Sequence, residues 1–279
     1  MLGGFVLLVL SDATAKWLTE SHSVVQIVSV RAVLLVCCLA AFFVISDRRE
    51  VLHPGDLKMQ MIRGSLACGS VYLYIFGLSY VQLAEAAAAA YLGPIIMTGL
   101  APVMLGERVG IHRWTAVLLG FGGMLIMLRP SADSIAWAML LPASAAVFGA
   151  LRDIITRKMR SSGHPVSVLL YSNLIIAAVG LPFLLAAWQP FSLAQTGLLI
   201  LSTALIGTAH MMHIQAFRLE EASVLAPFRY SGIIWGLIFG FLIWGQLPDS
   251  GVVLGAMVVI ASGLYIYWRE RRHVAVEVV

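Results

Sequence analysis

Charge is what this chain has least of. Asp, Glu, Lys and Arg make up 11% of its 279 residues, while 60% are hydrophobic and the mean hydropathy is +0.92. Soluble domains carry about 25% charged residues, so a surface this poor in charge cannot clothe a water-soluble globule. The chain reads as a polytopic membrane protein. Cysteine is scarce too: Cys37, Cys38 and Cys68 all lie inside apolar runs, without metal-ligand spacing, and are expected to be small buried hydrophobes. No aromatic-interleaved basic patch or nucleic-acid motif is present, so no nucleic-acid partner is expected. No nucleotide-binding motif argues for ATP-driven transport, and no cofactor is expected. A recognisable nucleophile–base set such as GxSxG is also missing, so the chain is not expected to be an enzyme. A basic n-region is absent, and Asp12 and Lys16 interrupt any signal-type apolar core, so no cleavable leader is expected.

What is there is a succession of long apolar runs. A bilayer span needs about 20 such residues, and ten runs can be marked: Leu2–Leu18, Val24–Ile45, Met59–Leu78, Leu83–Leu105, Trp114–Leu128, Ile135–Leu151, Val166–Trp188, Leu193–Ile214, Ala222–Trp244 and Val252–Trp268. The connections are too short for a soluble domain, so the expected fold is all-α. With the N-terminus inside, the cytoplasmic connections collect Arg48, Arg49, Lys58, Arg63, Arg108, Arg113, Arg152, Arg157, Lys158, Arg160 and Arg218. The tail adds Arg269, Arg271 and Arg272, while the other side has Arg129 and Lys16. That asymmetry predicts cytoplasmic termini.

The chain writes one stretch twice. Tyr74-Ile75, Gly77-Leu78, Tyr91-x-Gly93 and Gly106-Glu107 return, at a constant shift, as His213-Ile214, Ala216-Phe217, Tyr230-x-Gly232 and Gly245-Gln246. Asp12-x-x-x-Lys16 likewise finds a counterpart in Asp153-x-x-x-Arg157. Ten spans in two copies give five per copy. An odd number forces the second copy to enter from the opposite face, so two inverted five-helix repeats are expected, at 1–130 and 134–268, followed by a cytoplasmic tail at 269–279. Such repeats place a binding site near the midplane between the halves and suggest alternating access.

Ionisable residues inside spans are costly and mark function or buried pairing. Arg31 and Arg229 sit about two turns into the second and ninth spans and are candidate cations for a substrate carboxylate or phosphate. Asp12 is a candidate partner for Arg31, or could pair with Lys16 one turn on. Asp153 and Arg157 are read as a solvated interfacial pair. Asp12, Glu85 and His210 are candidate proton-coupling groups. His210 and His213 share a helix face three residues apart, but with no third ligand no metal is expected. His213 occupies the repeat position of Tyr74, which places both at one cavity. Tyr91, Tyr230, Trp235 and Tyr171 are candidate contacts for the body of a planar substrate.

The pattern Ala84-Glu85-Ala86-Ala87 through Gly93-Pro94 to Leu105-Gly106-Glu107, with Gly120-Phe121-Gly122-Gly123, resembles the drug/metabolite transporter superfamily and its EamA-type ten-helix members. Asp12-x-x-x-Lys16 and Ala226-Pro227-Phe228-Arg229-Tyr230 resemble a bacterial subgroup of S-adenosylmethionine carriers close to riboflavin carriers. The resemblance implies a multi-pass protein of the bacterial inner membrane that moves a small organic metabolite, amino acid-, S-adenosylmethionine- or riboflavin-like. It also implies a cavity lined by spans one to four and six to nine, with spans five and ten peripheral. The expected partners are the substrate and the lipid bilayer, with the chain a monomer or a homodimer. An intramembrane enzyme using the histidines or Asp12, or a non-transporting scaffold, are the competing readings.

Overall fold

The computed structural model describes residues 1–46, 55–81, 83, 86, 89–90, 92–107, 109–128, 137–161, 164–186, 188–225, 228–229, 231–245, 250–251, 253–258, 260–262 and 264–265. Among these residues it is all-helical. The helices are α1 (Leu2–Thr19), α2 (Val24–Ser46), α3 (Leu57–Leu78), α4 (Leu92–Leu105), α5 (Ile111–Leu128), α6 (Trp137–Lys158), α7 (Pro165–Ala186), α8 (Leu193–Leu219) and α9 (Ser231–Trp244), with a short turn Ala222–Leu225 before α9. A tenth apolar helix, α10, covers Val253–Ser262. Five of them, α1, α2, α3, α7 and α8, are long and apolar enough to cross a membrane. Two starts are chemically plain. Asp56 caps α3 by accepting the Met59 amide at 3.1 Å. Ser192 and Gln195 form a reciprocal capping box at the start of α8, which satisfies amides the helix leaves open.

The apolar runs locate the helices, and the structure corrects their ends. The fourth and ninth runs, expected as continuous spans, are each broken. Leu83, Ala86 and Ala89 are helical, but Ala90 lies in a turn and Gly93 donates to Ala90 O, three residues back. Pro94, which has no amide to donate, falls in the first turn of α4 where none is required. In the later run the turn Ala222–Leu225 gives way to a 3₁₀ step at Phe228 and Arg229 before α9 begins. The helices α6 and α8 run beyond their expected ends, from Leu151 to Lys158 and from Ile214 to Leu219. Arg152, Asp153 and Arg157 are therefore helical residues, not loop charges. Cys68 is buried, but Cys37 and Cys38 lie exposed on the outer face of α2.

The two halves of the chain pack chiefly on each other. The helix α3 lies against α6 while α1 lies against α8; α4 meets α6 while α1 meets α9; α3 meets α7 while α2 meets α8; and α2 crosses α7. Glycines set the closest crossings. Gly77 faces Pro142, whose Cδ would stand 2.7 Å from an added Cβ. At Gly180 on α7 an added Cβ would collide with the Tyr72 hydroxyl and with Ser29, whose own Cβ would be 2.7 Å away. Neither neighbour can swing clear without moving α2 or α3. Gly180→Ala is expected to cost about 1–3 kcal/mol through overpacking, seen as a lower thermal midpoint in detergent. An unchanged midpoint would mean the α2–α7 crossing is slack.

Both copies of the repeated stretch end alike. Gly106 (φ 70°) and Gly245 (φ 65°) take the left-handed conformation that ends α4 and α9, one that side chains with a Cβ rarely adopt. The cations of the Asp-x-x-x-Lys/Arg pair also act alike. Lys16 donates to Leu78 O and Val81 O at the end of α3, and Arg157 donates to Arg218 O at the end of α8. Each closes carbonyls that a helix C-terminus leaves open, at the pole that favours positive charge.

Candidate functional site

A cavity of about 180 Å³ lies between the halves. Its described wall is drawn from α1, α2, α3, α6, α7, α8 and α9 together with Ala90 and Arg229 from the two helix breaks, and none of it comes from α5 or α10. That agrees with what the resemblance implies. Aliphatic residues such as Val9, Val28, Ile75 and Ile176 cover much of the wall, and six charged side chains interrupt them: Asp12, Arg31, Arg63, Arg152, Asp153 and Arg229.

At one pole Asp12, 6% exposed, accepts a hydrogen bond from the Tyr74 hydroxyl and lies within electrostatic reach of Arg31. Arg31 Nη2 donates to Ser11 Oγ at 2.6 Å, and Ser11 in turn meets Ser202 Oγ of α8 at 3.2 Å. Arg31 Nε and Nη1 are buried and have no hydrogen-bond partner among the described residues. A buried guanidinium with two idle donors is costly unless something else meets them.

At the other pole Asp153, 3% exposed, is the hub. One carboxylate oxygen accepts Arg152 at 2.8 Å, and the other is held by Arg229. Arg63 Nε donates to Thr156 Oγ1 at 2.9 Å, while its Nη1 reaches Ser172 on α7. This network fastens α3, α6, α7 and the second break together. Arg229 lies against Gly93 of α4, where an added Cβ would stand 3.4 Å from the guanidinium carbon.

The expected site residues divide. Asp12, Arg31, Tyr74, His210, His213 and Arg229 all reach the cavity wall. Trp235 does not; it stacks on Phe239 at a centroid distance of 6.2 Å within the apolar cluster around Val9 and Leu78. Tyr171 is also off the wall, which takes its neighbours Ser172 and Asn173, one and two helical steps further round. Tyr91, Tyr230 and Glu85 lie outside the described residues. Asp153 is not the solvated partner of Arg157 that the spacing suggests, because α6 continues past it and turns it inward. Arg157 instead stands 3.8 Å from Glu107. Arg63 and Arg152, read from sequence as cytoplasmic signals, are wall residues. The only sequence hint was their depth inside a helical period that continues to Met59 on one side and Lys158 on the other.

His213 donates from Nδ1 to Ala209 O at 2.8 Å, and its Nε2 is left without a partner among the described residues. Its ring meets Phe5 edge-on at 4.5 Å. Among the described residues no three His, Cys, Asp or Glu side chains could hold a metal ion.

Beyond the cavity, at the end where α4, α6 and α8 finish, Met97, Ile154, Phe217, Ala222 and Leu225 form a buried apolar cluster. Glu107 fastens it, accepting the Ala222 amide at 3.0 Å. Arg113 and Glu221 pair at 2.9 Å alongside. Glu107→Ala should loosen this closure by about 1–2 kcal/mol, the cost of an unmet buried amide and a lost charge-assisted bond. Faster hydrogen exchange at Ala222–Leu225 would register it; unchanged exchange would deny Glu107 the role.

Residues 1–129 match the family model described as the EamA-like transporter family. An S-adenosylmethionine uptake transporter from Rickettsia bellii (strain RML369-C) is 26% identical over 230 residues, covering 82% of this chain and 79% of that protein. A riboflavin transporter from Vibrio cholerae serotype O1 is 29% identical over 227 residues, 80% of this chain and 76% of that protein. A pseudopaline exporter from Pseudomonas aeruginosa (strain UCBPP-PA14) is 23% identical over 228 residues, 80% of each. One solved crystal structure superimposes with a TM-score of 0.77 at 15% identity, covering 97% of this chain and 96% of that chain, which is a likeness of fold alone. Five described helices are long and apolar enough to cross a membrane, in keeping with a multi-pass bacterial membrane protein, and the named relatives are transporters of small metabolites.

Proposed function

We propose that the chain is a secondary carrier that moves a small organic metabolite with an anionic group across the bacterial inner membrane by alternating access. The observation that carries this is the cavity between the halves, where Arg31 presents two nitrogens without a hydrogen-bond partner among the described residues.

Two inverted modules, 1–130 and 134–268, with a cytoplasmic tail at 269–279, form the moving parts. The helix contacts support them: exchanging α1 with α6, α2 with α7, α3 with α8 and α4 with α9 turns each pairing of these eight helices described above into another one that is present. The matched glycine ends and the matched Lys16 and Arg157 caps obey the same exchange. Five helices per copy then require opposite insertion, and the distribution of Lys and Arg favours cytoplasmic termini. Helix breaks beside the site, at Ala90 and Arg229, are the usual form of such carriers near the midplane. The cluster around Met97 and Phe217 closes one exit, and the packing of Leu78, Val81 and Leu83 against Val24 and Val28 closes the other. Rocking one module on the other opens one of these closures at a time. Arg31 grips the anionic group, Tyr74 and His213 share its side of the cavity, and Arg229 positions Asp153.

In proteoliposomes, at least one metabolite from a mixed panel should exchange saturably with its trapped form. Retention of every solute, with specific capture of a protein partner, would favour a scaffold. Stoichiometric zinc in the purified protein would favour an enzyme.

A further inference from the structure

One pole of the cavity holds opposite charges that share no hydrogen bond. Asp12 on α1 and Arg31 on α2 are each 6% exposed, and both reach the wall. Arg31 is fixed beside Asp12 by its bond to the neighbouring Ser11 Oγ at 2.6 Å. Its Nη2 serves Ser11, while Nε and Nη1 have no partner among the described residues. The Asp12 carboxylate accepts the Tyr74 hydroxyl instead and meets Arg31 only through the electrostatic field. An anion can therefore reach the two idle nitrogens without displacing a bond. Other ionisable groups on the helices packed against α1 are accounted for among the described residues. On α1 itself Lys16 donates to Leu78 O and Val81 O. On α3, Arg63 belongs to the Asp153 network, Tyr72 meets Ser29 Oγ at 2.9 Å, and Cys68 lies in the apolar cluster around Val9. On α8, His210 and His213 reach the same wall, with His213 against Phe5, about two turns along α1 from Asp12. The helix α9 carries no ionisable side chain.

An anionic group seated on Arg31 Nε and Nη1 becomes a second anion facing the cation that Asp12 faces. Two anions held close in a water-poor site do not both keep their charge, and one takes a proton. The solute has the planar fork of Arg31, whereas Asp12 has the Tyr74 hydroxyl alone, so the proton goes to Asp12. Resting on the transport reading above, we propose that the carrier takes up one proton on Asp12 with each singly charged anionic group that Arg31 binds. This pole then has the same charge in both states. In the empty carrier ionised Asp12 balances Arg31; in the loaded one the solute balances it and Asp12 is neutral. Either form can turn through the membrane, so net movement of the anion takes a proton in the same direction.

The test is exchange and net uptake in proteoliposomes. The anionic probes are lactate, glutamate, S-adenosylmethionine and glycerol 3-phosphate, with every anion of the mixed panel that exchanges, and riboflavin is the uncharged control. For an anion that exchanges, a pH gradient alone should concentrate it on the alkaline side. Its apparent affinity should fall as pH rises, by about ten-fold per unit at the steepest for one proton per anion. Asp12→Asn leaves Arg31 without that balancing charge in the empty carrier, which hinders the return step. Net accumulation should fall about ten-fold or more, while the exchange that persists loses its pH dependence. The two wild-type measurements stand even where that variant fails to fold. Accumulation indifferent to the pH gradient, with an affinity flat in pH, would overturn the inference and leave the carrier intact. A pH dependence that survives Asp12→Asn would move the proton to another group, such as His210 or His213, and overturn it as well. Exchange of uncharged solutes with no anion would remove the anionic site and the inference, again leaving a carrier. Retention of every solute would remove the transport reading and this inference together.

Discussion

Asp153→Ala should leave a chain that barely accumulates in the membrane. Asp153 is 3% exposed and takes Arg152 and Arg229 on its two oxygens, with Arg63 in the same network through Thr156 and Ser172. Removing the carboxylate takes away the anion that these three neighbouring guanidiniums share among the described residues. Breaking a buried pair by deleting one partner costs about 3–5 kcal/mol, a large share of a folding free energy of about 5–15 kcal/mol. The double variant Asp153→Ala/Arg229→Met should recover part of the yield, because it also removes one stranded charge. Yield and the monodisperse fraction in detergent measure both. A wild-type profile for Asp153→Ala would show that the network is solvated and carries little weight.

Arg31→Ala should do the opposite: fold normally and fail to transport. Among the described residues only one of its guanidinium nitrogens has a partner, Ser11, and that hydroxyl keeps a second neighbour in Ser202. The helix α2 therefore loses one hydrogen bond, and Asp12 loses a neighbouring cation but keeps the Tyr74 hydroxyl. The solute loses a planar pair of donors in a desolvated site, where truncating one side of a charge pair costs about 2–5 kcal/mol. A fall in exchange of about 30-fold or more follows from those energies, at unchanged yield and melting. Arg31→Lys should recover only part of it, because an ammonium restores the charge but not the fork. Normal exchange by Arg31→Ala would take Arg31 out of the site.

Much of the helical layout was readable as apolar runs, because burial in lipid and in protein both demand hydrophobic residues and the runs are long. The ends of α6 and α8 were not. Arg152, Asp153 and Arg157 look like an interface when charge is taken as a sign of water, yet here it is neutralised inside the protein. The same error hid Arg63. The helix breaks at Ala90 and Arg229 were also invisible, since an apolar pattern does not record a turn that neighbouring helices support. Asp12, Arg31, Tyr74, His213 and Arg229 could be picked out because a polar residue deep in an apolar run is costly and persists where a cavity or a buried partner receives it. Their partners could not, because Ser11, Thr156 and Ser172 are ordinary in sequence and gain meaning only from the helices that face them. Trp235 illustrates the reverse case: a large aromatic at mid-span that packs against Phe239 rather than facing the cavity.

Two modules inserted in opposite senses put corresponding corners of the repeat in different compartments. Gly110 and Ser250, both exposed just beyond the corners Gly106 and Gly245, suit single cysteines in a chain lacking Cys37, Cys38 and Cys68. An impermeant thiol reagent applied to intact cells should label Ser250→Cys directly and reach Gly110→Cys only after the membrane is opened. Equal labelling of both from one side would contradict the inverted arrangement, and with it the shared cavity as a path across the membrane.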